Sequence, residues 1–151
     1  MLEAWRIVSK KFLDSAFTGS GARDYPGRWN LRNIPVIYAS QSVSLAALEM
    51  LVHFDRVIPA DNYFMIPIKF DISEVLEIKT KSLPKGWNSY PFKSVTQEIG
   101  SEWVKSGKTA VLKLPSAVIQ VEHNYILNPF HKKFTNLKIG KPINFSFDSR
   151  L

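Results

Sequence analysis

The segment VSLAALEMLVHF (residues 43–54) sets a single carboxylate, Glu49, in a run that is otherwise nearly all apolar. On a helix capped by Ser42, the residues three and four positions from Glu49 are Leu45, Ala46, Val52 and His53, so three of its four face neighbours are apolar. A carboxylate buried there without partners costs on the order of several kcal/mol, or takes up a proton to escape the charge. Two arrangements resolve the conflict. Either a Lys or Arg, or an exposed helix end, satisfies Glu49, or it lies at the bottom of a pocket and meets positive charge on a ligand. Ahead of it in the chain, Arg28 lies in the polar loop DYPGRWNLRN, and Tyr38 in the β-branched run IPVIYAS. A loop arginine, a strand tyrosine and a helix glutamate can converge at one end of a sheet. Read singly, Arg28 is equally a surface cation, Tyr38 a half-buried strand aromatic and Trp29 a core filler.

The elements that must position these residues follow from periodicity. Residues 34–40 read as a strand with Val36, Tyr38 and Ser40 on one face, leading into the Glu49 helix. NYFMIPIKF is a second strand whose Pro67 requires an edge or a bulge, and SLPKGWNSYP is a loop. Ser94 followed by Gln97 predicts a capping box, with Val95, Ile99 and Trp103 as the apolar stripe of a helix that Gly107 stops. From residue 109 onward the chain reads as strands and turns, with Ile143, Phe145 and Phe147 alternating as a half-buried strand. Strands without regular helix alternation give an α+β fold. With 151 residues and no linker or repeat, the expectation is one compact domain over 1–151.

Composition removes several function classes. The absence of cysteine excludes thiolate nucleophiles and cysteine zinc sites, and His53, His123 and His131 form no metal-binding motif, so no metal is expected. SGKT at 106–109 lacks the earlier glycine of a phosphate loop, because Glu102 stands there. GSGARD at 19–24 has Asp24 in place of the third glycine of a dinucleotide fingerprint, and no GxSxG elbow surrounds Ser116. The chain shows neither a signal-peptide pattern nor an apolar run of spanning length, so a soluble, cytoplasmic protein without membrane contact is expected. A net charge of +7 favours an anionic partner. Without a recognisable binding motif, direct nucleic-acid binding is the lower-ranked reading, beside that of a non-enzymatic interaction module.

The ordered set WRIV, GRWN, VIYAS, LAALEMLVH, LKLPSAV and NYILNPFH resembles the RES-domain family, the toxin component of Xre/RES toxin–antitoxin pairs. The resemblance runs from about Trp5 to His131 and is most specific at Gly27 to Asn30 and at Tyr38 through Glu49 to His53. It implies a fold similar to ADP-ribosyltransferases, with largely antiparallel twisted sheets flanked by helices. It also implies an activity that consumes NAD as substrate, without a further cofactor, by cleaving the nicotinamide–ribose bond; the alternative is ADP-ribosyl transfer to a protein. Arg28, Tyr38 and Glu49 match the family's active-site trio, and Arg6 and Ser116 match positions expected to line the same pocket. An Xre-type helix-turn-helix antitoxin is the implied partner, and self-association into a homodimer is compatible. Two positions depart from the pattern. Pro26 replaces the first of two glycines before Arg-Trp-Asn, and Asn33 stands where a turn glycine is usual, a place Asn tolerates because it visits left-handed backbone.

Overall fold

A computed structural model describes all of residues 1–151. In chain order the elements are β1 (Leu2–Ser9), α1 (Ser20–Asp24), β2 (Ile37–Ser40), α2 (Val43–Leu51), β3 (Tyr63–Phe70), β4 (Val75–Glu77), α3 (Ser94–Ser106), β5 (Val111–Pro115), β6 (His123–Leu127), β7 (Lys138–Ile139) and β8 (Ile143–Phe145). The eight strands form one sheet in the order β4-β5-β6-β2-β1-β3-β7, with β8 also on β3. Every pairing is antiparallel except β4 with β5, which α3 connects as a crossover. The α+β expectation holds, with a single largely antiparallel sheet. No helix is long and apolar enough to cross a membrane.

Alternation along the strands builds two cores. Ile37, Ala39, Val111, Tyr125 and Leu127 face one side with Phe70 and Ile68; Val36, Leu112, Leu114 and Ile126 face the other, against Trp29, Trp87 and Trp103. Trp29 is therefore core. The strand face read from sequence is present, with Val36 and Ser40 buried and Tyr38 half-buried. Pro67 lies where the outer edge of β3 changes partner from β7 to β8, and its carbonyl accepts the Gly140 N–H at 2.8 Å. The expectation of an edge or a bulge is corrected: β3 is paired on both sides, and Pro67 is accommodated because the gap between its two outer partners asks no N–H of it.

Two further local expectations need correction. Helix α3 starts after Lys93 with no side-chain cap, because Gln97 Nε2 donates to the Gly27 carbonyl at 3.2 Å instead of reaching back along its own helix. Its buried residues are Thr96, Gly100, Ser101 and Trp103, while Val95 is exposed. The inner face is small because it docks on loop backbone. The other signals hold: Ser42 Oγ caps α2 by accepting the Leu45 N–H at 3.1 Å, Gly107 ends α3 at φ 62°, and Asn33 adopts φ 72°.

One feature of the sheet creates room for a site. Strands β1 and β2 pair through a single register position, Trp5 with Ser40, whereas β1 pairs with β3 along its whole length. The sheet is nearly split at this seam. Arg6, one residue beyond the pair, fills part of the gap: its Nη1 donates to the Tyr38 carbonyl at 2.9 Å and its Nε to that of Ala16 at 2.9 Å.

Candidate active site

A cleft of about 720 Å³ opens over the β1–β2 seam, within the range of small-molecule sites. Its lining includes Trp5 and Arg6 from β1, Tyr38 and Ser40 from β2, Glu49 and Met50 from α2, Asn124 from β6, and two loops that bring Arg28 and Phe92. Arg28, Tyr38 and Glu49, far apart in the chain, thus share one cavity, and Arg6 joins them.

Glu49 has no cationic partner within ion-pair distance. Its Oε1 accepts from Ser116 Oγ at 2.7 Å and from Asn124 Nδ2 at 2.8 Å, and Oε2 has no partner in the protein. Asn124 is held in turn, since its Oδ1 accepts from Ser40 Oγ at 2.7 Å across the β2–β6 pair that sets these two residues opposite each other. Two neutral donors aim the carboxylate and leave its charge uncompensated. Of the arrangements open at the sequence level, the ion pair is removed, since neither a lysine nor an arginine pairs with this acid. Glu49 is half-buried at the cleft wall, on a helix whose end at Val52 and His53 is exposed.

Ser116 departs from the expected pocket-lining role. It is completely buried, its hydroxyl also accepting the Val118 and Ile119 N–H groups at 3.0 Å, so it touches the carboxylate from behind and lies outside the cleft wall. Tyr38 is likewise constrained. Its hydroxyl donates to Asn30 Oδ1 at 2.6 Å and accepts the Trp29 N–H at 3.1 Å, and burial raises its pKa further above the ordinary range. What Tyr38 shows to the cleft is its ring.

The GRWN loop is built around that phenol. A Cβ on Gly27 would lie 2.8 Å from the Tyr38 hydroxyl, so only glycine fits the position, whereas Pro26 beside it is tolerated at the rim. Asn30 is fully buried: Oδ1 accepts the Gly27 N–H at 2.9 Å, and Nδ2 donates to the carbonyls of Ala22 at 2.8 Å and Ile34 at 3.1 Å. The loop presents Arg28, whose Nη1 donates to the carbonyls of Trp87 at 2.9 Å and Ser89 at 2.8 Å while its guanidinium lies over the Phe92 ring. Burial lowers its pKa, with Glu49 and Tyr38 opposing the shift. Arg6, pushed down to about 10 by burial alone, also stays cationic near neutral pH. Nη2 of each arginine has no protein partner.

The cleft therefore offers one aimed carboxylate, two partly spent arginines and a largely apolar wall. Such a set can bind an anionic ligand and stabilise positive charge that develops beside Glu49 in a low-dielectric setting. Asn30 and Asn124 stood in the motifs that carry the resemblance but were given no role in the site, and the carbonyls of Trp87 and Ser89 were missed. Ser40 was marked only as a strand face, where a hydroxyl between apolar neighbours was a usable signal.

The chain as a whole is similar to known proteins. The family model described as RES domain matches residues 3–148. The chain is 38% identical over 148 residues to a Yersinia enterocolitica protein named Toxin Res, covering 97% of both chains. It is 39% identical over 150 residues to Toxin Res of Photorhabdus laumondii, covering 97% of this chain and 95% of that one. A protein of Sphingobium sp. named Prs ADP-ribosylating toxin is 32% identical over 152 residues, with 97% and 94% covered. Among solved structures, the crystal structure of the M. tuberculosis MbcT–MbcA toxin–antitoxin complex contains a chain of the same fold, with TM-score 0.77, 17% identity, and 96% of this chain and 84% of that chain covered.

Proposed function

The chain belongs to the RES domain family, and from that premise we propose that it is the toxin of a toxin–antitoxin pair and depletes NAD by breaking the nicotinamide–ribose bond. The observation that carries this reading is the harness on Glu49, with Oε1 taken by two neutral donors and Oε2 free in a cleft that also holds two arginines. In the reaction the C1′–N bond breaks and its electron pair goes to the pyridinium nitrogen. Nicotinamide therefore leaves neutral, and no strong acid is needed. Positive charge passes to C1′ and the ring oxygen of the sugar, where Oε2 stabilises it as the carboxylates of glycosidases do. The free guanidinium nitrogens of Arg28 and Arg6 suit the pyrophosphate, and the Tyr38 ring supplies an apolar wall to the nicotinamide side. An anionic oxygen of inorganic phosphate, or water with loss of one proton to solvent, then forms the new bond at C1′.

A second acceptor is supported by the Sphingobium relative, whose name makes it an ADP-ribosylating toxin: a nucleophilic protein side chain adds at the same carbon. Mass spectrometry after incubation of the purified chain with NAD, with and without phosphate, separates the outcomes as ADP-ribose, its 1-phosphate or a modified protein. Nicotinamide release is expected in at least one condition, and its absence in all of them rejects the reading. The inhibitory partner in this reading is a helix-turn-helix antitoxin of the Xre type that covers the cleft, and the site of action is the cytoplasm. The fold neighbour's presence in a toxin–antitoxin complex supports such a partner.

The harness makes its own prediction. Asn124→Asp sets a second carboxylate against Glu49 Oε1, where Nδ2 now donates at 2.8 Å. The donor that aims Oε1 is then replaced by a repelling oxygen, so the carboxylate should turn from its aimed position and kcat at neutral pH should fall about tenfold. An unchanged kcat would mean that Asn124 does not orient the acid.

A further inference from the structure

Beyond the charged groups, the cleft carries two aromatic side chains in an unusual state. Tyr25 is 84% exposed and Tyr90 85% exposed, yet both line the cleft, and neither hydroxyl has a partner in the protein. Each directly precedes a proline, in Tyr25-Pro26 and Tyr90-Pro91. A residue before proline has a restricted backbone, so both rings are carried on chain whose course is narrowed. Both also flank Arg28. Tyr25 lies three residues before it, and Tyr90 follows Ser89, whose carbonyl receives Arg28 Nη1 at 2.8 Å. That bond ties the two tyrosine-bearing loops together around the guanidinium. Beside Tyr90, Asn88 also lines the cleft with its amide unpartnered.

We propose that Tyr25, Tyr90 and Asn88 form a purine subsite at the rim of the cleft that takes the adenine of an adenine nucleotide. Flat apolar faces without hydrogen-bond demands suit base stacking, which every base can satisfy. The Asn88 amide adds the donor and acceptor that match N7 and N6 of adenine, a pairing guanine cannot offer on the same edge. A nucleotide whose phosphate is held by Arg28 has its base one sugar away, where these loops meet. The subsite deepens the NAD reading by assigning the end of the dinucleotide remote from the broken bond, and it rests on that reading only for the identity of the whole substrate.

Calorimetric titration of the full chain with ADP, which lacks the reacting bond, tests the subsite without requiring turnover. Replacing both rings (Tyr25→Ala with Tyr90→Ala) should weaken ADP binding about ten- to a hundredfold, and the corresponding double Phe variant should recover most of it. Asn88→Ala should narrow the preference for ADP over GDP. All three side chains are unpartnered, so these variants should fold, and thermal midpoints verify it. Wild-type affinity for ADP in the double Ala variant, or no ADP binding by the parent chain, overturns the subsite; the former assigns the exposed rings to another contact, such as a protein partner. NAD turnover is measured in parallel. Turnover with ADP binding indifferent to the tyrosines keeps the function and removes the subsite, whereas tyrosine-dependent ADP binding without turnover does the reverse.

Discussion

Glu49→Gln should lower NAD turnover by about a hundredfold or more while leaving the fold intact. The amide has the shape of the carboxylate, so its oxygen can still accept from Ser116 Oγ and Asn124 Nδ2, now at 2.7 and 2.8 Å. With the oxygen fixed there, the amide nitrogen must occupy the Oε2 position. The group facing the sugar then changes from a full negative charge to the positive end of a dipole, so the variant opposes the transition state in addition to failing to stabilise it. Substrate binding depends chiefly on the arginines and the cleft wall, so kcat should fall far more than KM changes. Thermal stability should stay within about 1 kcal/mol, since no ion pair is lost. Turnover within about threefold of the parent chain would reject Glu49 as the charge-stabilising group.

That Glu49 is special was legible because an acid on an apolar helix face conflicts with its surroundings, and Ser42 signalled where the helix begins. The manner of its satisfaction was not legible. Its partners Ser116 and Asn124 lie 67 and 75 residues away in the chain; the resemblance marked Ser116 as a pocket position, but nothing local tied it or Asn124 to this carboxylate. Local backbone signals were transparent: Gly107 closes α3 and Asn33 takes a left-handed turn. Where local pattern and long-range contact competed, contact won. Gln97, which has the spacing of a capping box, instead secures the Gly27 carbonyl, and the apolar reading of Val95 yields to a small-residue face at Thr96, Gly100 and Ser101. Tyr38 matched an active-site position by resemblance, but only the structure shows that its hydroxyl is committed to Trp29 and Asn30.

These contacts make α3 a second determinant of the site, although it contributes no residue to the cleft lining. The helix grips the arginine loop at three points: Gln97 on the Gly27 carbonyl at 3.2 Å, Ser101 Oγ accepting the Leu31 N–H at 2.9 Å, and Gly100 against Trp29. Arg28 lies between the first two. Its two bonds to the 87–89 carbonyls fix the other side of the cleft to the same loop. Any shift of α3 therefore moves the guanidinium and the loop that bears Phe92.

Gly100→Ala should destabilise the protein, opposite to the effect expected of that change in an ordinary helix. In an exposed helix interior, replacing glycine by alanine stabilises by about 1 kcal/mol through helix propensity. Here the added Cβ would lie 1.8 Å from the Trp29 carbonyl oxygen, 2.8 Å from its carbon and 3.1 Å from the Trp29 Cβ. The obstacle is backbone, which has no rotamer to change, and Trp29 is itself 2% exposed within the aromatic core. Relief requires α3 to move away from the loop, which strains Ser101 on Leu31 and Gln97 on Gly27 as well. Overpacking of this kind costs roughly 1–3 kcal/mol or more, and the loss of those two hydrogen bonds adds to it. The net expectation is a loss of about 2 kcal/mol, a fall in thermal midpoint of roughly 4–8 °C for a chain of this length. Because the displaced loop carries Arg28, KM for NAD should rise as well. Gly21→Ala in α1 is the matched control, since an added Cβ there meets nothing within 4 Å. It should be as stable as the parent chain or slightly more so. Equal midpoints for the Gly100 and Gly21 variants would show that α3 does not grip the arginine loop as closely as the structure places it.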